Sequence, residues 1–336
     1  MPEQLVEHDE SAAPTRADAA NTELASPAKA TTRKLGVGGW VSAGWLILLV
    51  LVAVFAGFLQ ASPTDEGPRA LRSCGDGSAL PIYNPHSCRD REAARNQKST
   101  GTADGDLRHL TGVDSAGRDV FSQVLLGTRT TLMIAIVSIT VATLLGGTLG
   151  LLSGYFRGRV DSVVTTLLDV MIAFPPLILA MLLVFNFAGD QPDRRLPAII
   201  IALSVVATPI LGRIARVSTL SWSQREFVMA AKALGAKPGR IIIREVLPNV
   251  VPAMMSIALL GVGIAIVTEA SLSIIGLGVG DNDVSWGSVI AQGAANFRDV
   301  PHLVFVPTVP IVLTVCALNF LGDALRRKFD VRESAL

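Results

Sequence analysis

The sequence predicts an all-α membrane protein built on six transmembrane helices, with both termini in the cytoplasm. Half of the 336 residues are hydrophobic and only 17% are charged, against about a quarter charged in an ordinary soluble domain. Mean hydropathy is +0.49. The apolar residues gather into runs of about 20, the length that ~30 Å of hydrocarbon demands of a helix. Lys and Arg cluster in alternate segments between those runs, as they do in cytoplasmic loops. The net charge of +1 gives no global attraction to nucleic acid.

Taken in order, residues 1–39 precede the first apolar run; 1 to about 34 are rich in Ala, Glu, Asp, Thr and Pro, and Arg33 and Lys34 close that stretch. Such a composition cannot bury enough surface to offset chain entropy, which predicts a disordered cytoplasmic tail. The run 40–59 is too long and too far from residue 1 for a signal-peptide core, and no small-x-small site follows it, so it reads as an uncleaved anchor. Residues 60–128 are polar, with Pro, Gly, Asp and Arg throughout, and read as an extracytoplasmic loop. Five further runs, about 130–156, 162–187, 196–215, 251–273 and 302–321, form a core over 129–325, and 326–336 is a cytoplasmic tail.

Six spans put Arg157 and Arg159, the group from Arg213 to Arg244, and Arg326, Arg327 and Lys328 on one side with Arg33 and Lys34. Arg194 and Arg195 in the short loop 189–195 are a minor dissent. Cys74 and Cys88 then lie outside, where a disulfide persists; the alternative is two free thiols. Cys316 sits inside an apolar run as a small packing residue.

Asp169 and Glu269 fall within spans, where an acid is expensive and faces a bundle interior or water. Structural pairing is the favoured reading for both, with ligand contact as the alternative. Gly146, Gly150 and Gly154 repeat every four residues and predict a close helix–helix approach. Pro175 and Pro176 should break the third span.

The segment 213–249 is long, basic and amphipathic. Residues 223–234 predict a short helix whose Phe227, Ala230, Ala231 and Leu234 share one apolar face; Gly235 caps it, 237–239 turn, and 240–246 form a second short helix running to Pro248. A helix–turn–helix on the cytoplasmic face is a docking element, or else a helix lying on anionic lipid.

These residues carry a resemblance. Ala230, Ala231, Gly235, Leu247 and Pro248 resemble the E-A-A-x-x-x-G…L-P signature of membrane subunits of ATP-binding-cassette importers, with Met229 at the Glu position and Glu245 where peptide permeases commonly have His. The stretch around Gly112, Asp114, Gly117, Arg118 and Asp119 is similar to G-T-D-x-x-G-R-D, with Val113 for Thr. Glu269 to Gly278 with Trp286 and Gly287 resembles E-A-x-L-S-F-L-G-L-G…W-G. Asn319, Gly322, Asp323 and Arg326 resemble N-x-x-G-D-x-L-R, with Val331 at a position that is usually Pro. The whole points to the C-type subunit of dipeptide, oligopeptide and nickel permeases, and to the type I importer permease fold.

The resemblance implies a coupling helix that enters a groove of an ATPase subunit. It assigns that role to Ala230, Ala231 and Gly235, in a loop that includes Arg225, Glu226, Met229, Leu234, Leu247 and Pro248. It also implies a homologous second permease, two ATPase subunits that carry the ATP and Mg2+, and an extracytoplasmic solute-binding protein. This chain has no phosphate loop of the G-x-x-x-x-G-K-[ST] kind, no H-E-x-x-H and no G-x-S-x-G, and its four His are scattered. It is expected to hold no cofactor or metal and to catalyse nothing itself. Peptide is the favoured cargo; nickel or another small solute in the same class of complex is the alternative. A secondary transporter, which would call for internal repeats and midplane coupling acids, is less favoured.

Overall fold

A computed structural model describes residues 37–60, 111, 120–189, 191–280, 283–295, 297–298 and 300–333. Among them the regular elements are all helical: α1 (Val37–Gln60), α2 (Val120–Phe156), α3 (Gly158–Ala173), α4 (Pro176–Ala188), α5 (Arg195–Trp222), α6 (Glu226–Ala233), α7 (Pro238–Ile241), α8 (Leu247–Leu272), α9 (Trp286–Ala294) and α10 (His302–Glu333). Five helices in these residues are long and apolar enough to cross a membrane, or six if the bent pair α3–α4 is one span. Cys74 and Cys88, most of the tail 1–39 and most of the loop 60–128 lie outside the described residues.

The fold is organised around α2 against α5. The Gly146, Gly150 and Gly154 stripe explains why they meet so closely. A Cβ on Gly150 would fall on the Gly212 carbonyl oxygen and lie 2.7 Å from Ala215 Cβ. A Cβ on Gly154 would lie 2.8 Å from the Arg216 carbonyl oxygen, and one on Gly146 would fall on that of Thr208. Backbone therefore packs on backbone, the approach that small residues at four-residue spacing permit. Around this pair α8, α9 and α10 close an apolar core that includes Ile134, Ile199, Ile266, Leu272, Trp286 and Leu303, all almost fully buried. α1 is peripheral. It touches the core through Leu49 and through Trp45, whose Nε1 donates to Thr314 Oγ1 at 3.2 Å.

Several boundaries differ from expectation. α2 begins at Val120, nine positions before the expected start of the core at residue 129. Val120, Val124, Gly127, Thr128 and Thr131 are all buried at helical spacing, but the polar residues among them gave that stretch the look of a loop. The third span is not one rod. α3 and α4 meet at 90° at Pro175 and Pro176, because each proline rejects a helical partner upstream. α5 runs on to Trp222, seven positions beyond the expected end at 215. Its charged residues there are satisfied: Arg216 makes a two-pronged pair with Asp161, Nη2 to Oδ2 at 2.6 Å, and Arg213 Nη2 reaches Asp169 Oδ1 at 2.6 Å.

The expected second short helix is continuous with the fifth span. Wide turns over Ile242–Val246 lead from α7 into α8, and Pro248 sits in the first turn of α8, where a missing N–H is tolerated. α10 continues to Glu333, so the residues expected as a tail from 326 are mostly helical. α9 had no counterpart in the sequence reading.

Candidate functional site

α6 is eight residues long and stands at one end of the bundle. Arg225 precedes it in extended conformation, and its carbonyl accepts from the N–H groups of Val228 and Met229 at 3.0 and 3.2 Å. The helix stops at Gly235, whose φ of +78° is the left-handed region that glycine enters without strain. Gly235 N–H donates to Lys232 O at 3.0 Å and Ala236 N–H to Ala231 O at 3.1 Å, a complete Schellman closure.

One side chain seats the helix. Val228 is fully buried among Leu151 of α2, Ala215 and Trp222 of α5, Ile241 of α7, and Val250 and Met254 of α8. Two cations frame the seat: the Arg225 guanidinium lies 5.1 Å from the Trp222 ring, and Lys232 Nζ lies 5.3 Å from the Tyr155 ring. The α2–α3 turn also reaches over, with Arg157 Nη2 donating to Ser223 Oγ at 3.4 Å. Any displacement of α6 is therefore felt by α2, α5 and α8 together.

The other face of α6 has no cover. Met229 and Ala230 are exposed, Phe227 is 40% exposed, and Leu234 is 88% exposed. The expected apolar face is thus the outward one, with only Ala231 half-buried. The side chain that holds the helix down, Val228, was not singled out from sequence; nor were Tyr155, Trp222 and Ser223. Their signal was present as an aromatic at each helix end that faces the basic segment. Arg225, Glu226 and Pro248 are exposed, and Leu247 is half-buried.

Val228→Ala should loosen α6 without unfolding the bundle. Removing two buried methyls costs on the order of 2 kcal/mol. Amide hydrogen exchange over residues 226–233 should speed up at least about tenfold, while α2 and α5 keep their protection.

The second cluster lies at the opposite end. Val124 and Tyr155 are separated by roughly 30 residues of α2, about 45 Å of helix. Near Val124 the chain leaves α8 through wide turns over Ser273–Leu277, reverses at Gly276 (φ +89°), and returns as Ser285 and α9. Glu269, near the end of α8, is 1% exposed. Its Oε1 accepts from Ser273 Oγ at 2.9 Å and from Ser285 Oγ at 2.7 Å. Ser285 also caps α9 in a reciprocal box with Ser288. Trp286 is fully buried; its Nε1 donates to Val124 O at 2.9 Å and its N–H to Thr131 Oγ1 at 3.0 Å. The returning chain leaves no room for side chains, since a Cβ on Gly287 would lie 2.6 Å from Ala270 Cα. The two acids singled out from sequence are thus far apart in kind. Glu269 is sealed and held by serines, whereas Asp169 is exposed and paired with Arg213.

Comparison with known proteins falls on the same segments. The family described as "Binding-protein-dependent transport system inner membrane component" matches residues 146–334, from the glycine stripe through both clusters to α10. The glutathione transport system permease protein GsiD of Pectobacterium atrosepticum is 35% identical over 222 residues, covering 66% of this chain and 72% of the relative. The dipeptide transport system permease protein DppC of Alkalihalophilus pseudofirmus is 36% identical over 222 residues, covering 66% and 71%. GsiD of Escherichia coli is 31% identical over 286 residues, covering 85% and 84%. Among solved structures, a chain of the MetNI methionine ABC transporter in an inward-facing conformation aligns with a TM-score of 0.53 at 20% identity, over 62% of this chain and 96% of that one. That likeness concerns the fold alone.

Proposed function

The chain belongs to the family of binding-protein-dependent transport system inner membrane components, and from that premise we propose that it forms half of the translocation pathway of an importer of short peptides. It is a multi-pass permease subunit of an ATP-binding-cassette importer in the cytoplasmic membrane, and such subunits work with ATPase subunits and a binding protein. Membership sets aside the secondary-transporter reading. The proposal adds the finer assignments: a homologous second permease, two ATPases holding ATP and Mg2+, an external solute-binding protein, and α6 with both termini on the cytoplasmic side.

The observation that carries it is the two-faced character of α6. One face is locked into a core shared by α2, α5 and α8 through Val228, and the other offers Phe227, Met229, Ala230 and Leu234 to something outside the chain. A helix so placed can convert movement of a docked ATPase into movement of the spans. ATP binding draws the two ATPases together, α6 follows, and the pathway opens outward; release after hydrolysis returns it. No residue of this chain needs to make or break a bond. Peptide is favoured as cargo because relatives carry dipeptide and glutathione in their names, and glutathione is itself a tripeptide.

The test is to purify the tagged chain from its own membrane in mild detergent and measure ATP hydrolysis with and without short peptides and the binding protein. A second permease and ATPase subunits should come with it, and peptide should accelerate hydrolysis. A complex that ignores peptide would remove the cargo assignment. A chain that purifies alone and transports without ATP would remove the function.

A further inference from the structure

α3 shows three faces along its length. Val164 and Leu168 are buried, and Leu168 seats on α5, where a Cβ on Gly212 would lie 3.0 Å from Leu168 Cδ1. Val163, Leu167 and Val170 recur at helical spacing as a second face, exposed and apolar, which suits lipid. Ser162, Thr166, Asp169 and Ala173 recur at the same spacing as a third, exposed and polar or small. An acid turned to hydrocarbon is expensive, so this third face does not meet lipid. A span with one exposed face for lipid and another for water stands at the wall of an aqueous cavity. Two ion pairs join α3 to α5, and they differ in kind. Asp161–Arg216 is two-pronged, with side chains only 19% and 28% exposed, and braces the two helices. Asp169–Arg213 rests on a single hydrogen bond, Nη2 to Oδ1 at 2.6 Å, with side chains 60% and 51% exposed. A pair so exposed adds little stability and opens readily.

We infer that Asp169 and Arg213 form a binding site in the translocation pathway for the charged ends of a peptide: Asp169 takes the α-ammonium and Arg213 the α-carboxylate. The charges balance. One internal pair is lost, two pairs with the cargo replace it, and the net charge within the span does not change, so neither side chain is left uncompensated. A cargo lacking either end leaves one of the two side chains without a partner. The neighbouring hydroxyl makes no competing claim, since Thr166 Oγ1 donates to Ser162 O at 2.7 Å within its own helix. The site therefore reads what all short peptides share and passes over what distinguishes them. The Asp161–Arg216 brace keeps the helices together while the Asp169–Arg213 pair opens. The inference rests on the importer reading above and deepens it by naming the part of the cargo that this chain recognises.

The experiment uses the complete complex in lipid nanodiscs, without nucleotide and without binding protein, so that the binding protein's own selectivity does not enter. Thr166→Cys on the polar face and Val163→Cys on the apolar face are each labelled with a charged maleimide, and modification at that position is read by mass spectrometry. Position 166 should react at least about tenfold faster than position 163, because the reactive thiolate forms in water and not in lipid. Dialanine should slow labelling at 166 about fivefold or more as the unoccupied fraction falls. N-acetyl-dialanine has no ammonium and dialanine amide no carboxylate; each should need roughly tenfold more for the same protection, the effect of losing one charge-assisted contact. Asp169→Asn should erase the difference between dialanine and its N-acetyl form, and Arg213→Gln the difference between dialanine and its amide. A merely structural pair would alter labelling rates in these variants and leave the order of the three probes as it was. If either pair variant does not accumulate, the three probes on the unsubstituted pair decide alone, and Ser162→Cys stands in for Thr166→Cys. Equal labelling at 166 and 163, labelling at 166 that dialanine leaves unchanged, or equal protection by all three probes would overturn the inference. Hydrolysis stimulated by binding protein and peptide, measured on the unlabelled complex, tests the importer reading separately. Stimulation without protection removes this site alone; no stimulation removes the importer reading and the site with it.

Discussion

Gly150→Leu should remove the protein from the membrane fraction. The position has no slack: a single added carbon would fall on the Gly212 carbonyl oxygen and within 2.7 and 2.8 Å of Ala215 Cβ and Arg216 N. An overlap with a flexible side chain can relax at a cost of about 1–3 kcal/mol, but here the obstruction is backbone. The two helices must part, and Gly146 and Gly154 lose their contacts in the same movement. That is on the order of a domain's whole stability margin, so steady-state protein should fall roughly tenfold or more. Immunoblotting of membranes at matched transcript levels checks it. Gly150→Ala, which adds that one carbon alone, should already lower both the steady-state level and the melting temperature in detergent, though less than Gly150→Leu. Leu152→Ala, on the outward face of the same turn at 41% exposure, should change neither. Normal accumulation of Gly150→Leu would mean that α2 and α5 do not pack through this stripe.

Gly235→Val should give the opposite phenotype: protein present in the membrane, transport lost. Nothing lies within 4 Å of a Cβ built there, so space in this chain is not the constraint. The constraint is φ +78°, where a side-chain-bearing residue is strained by roughly 1–2 kcal/mol and a β-branched one by more. Valine would pull residue 235 back into helical or extended conformation. The Gly235 and Ala236 N–H bonds to α6 would be lost and the exit from the helix redirected. The outward face of α6 would then meet its partner at the wrong angle. Uptake should fall on the order of tenfold while ATP hydrolysis persists. Gly235→Asn separates the causes, because asparagine tolerates the left-handed region. Substantial transport in the asparagine variant assigns the glycine to chain direction. Equal loss in both would mean that the partner's groove has no room for any side chain at that position.

Much of the architecture was legible from sequence because membrane helices obey a one-dimensional rule: a run of apolar residues of sufficient length. The glycine stripe was legible for a related reason, since four-residue spacing on a helix is a face. Gly235 was legible as a helix stop because few other residues end a helix that way. Three features were not. The early start of α2 was hidden because Gln123, Thr128 and Thr131, all buried, look like loop residues until Trp286 arrives from far along the chain to use their helix. α9 was hidden because its nine residues follow a chain reversal at Gly276 that no periodicity announces. The placing of α6 was half legible. Its apolar face was legible as a face and is the exposed one, but the residue that fixes it to the bundle, Val228, lies on the other side and gains its meaning from Leu151, Trp222 and Met254 on three separate helices. Glu269 shows the limit most clearly. The sequence marks an acid in a span, and only the fold brings Ser285 to it.

The central claim is that the exposed face of α6 docks on an ATPase. Leu234, 88% exposed at the end of that face, is the place to test it. A photoreactive benzophenone amino acid substituted there should, on irradiation of native membranes, give a covalent adduct with an ATPase subunit whose yield changes when ATP is added. Adducts only with lipid, in membranes that still take up peptide at the normal rate, would contradict the account.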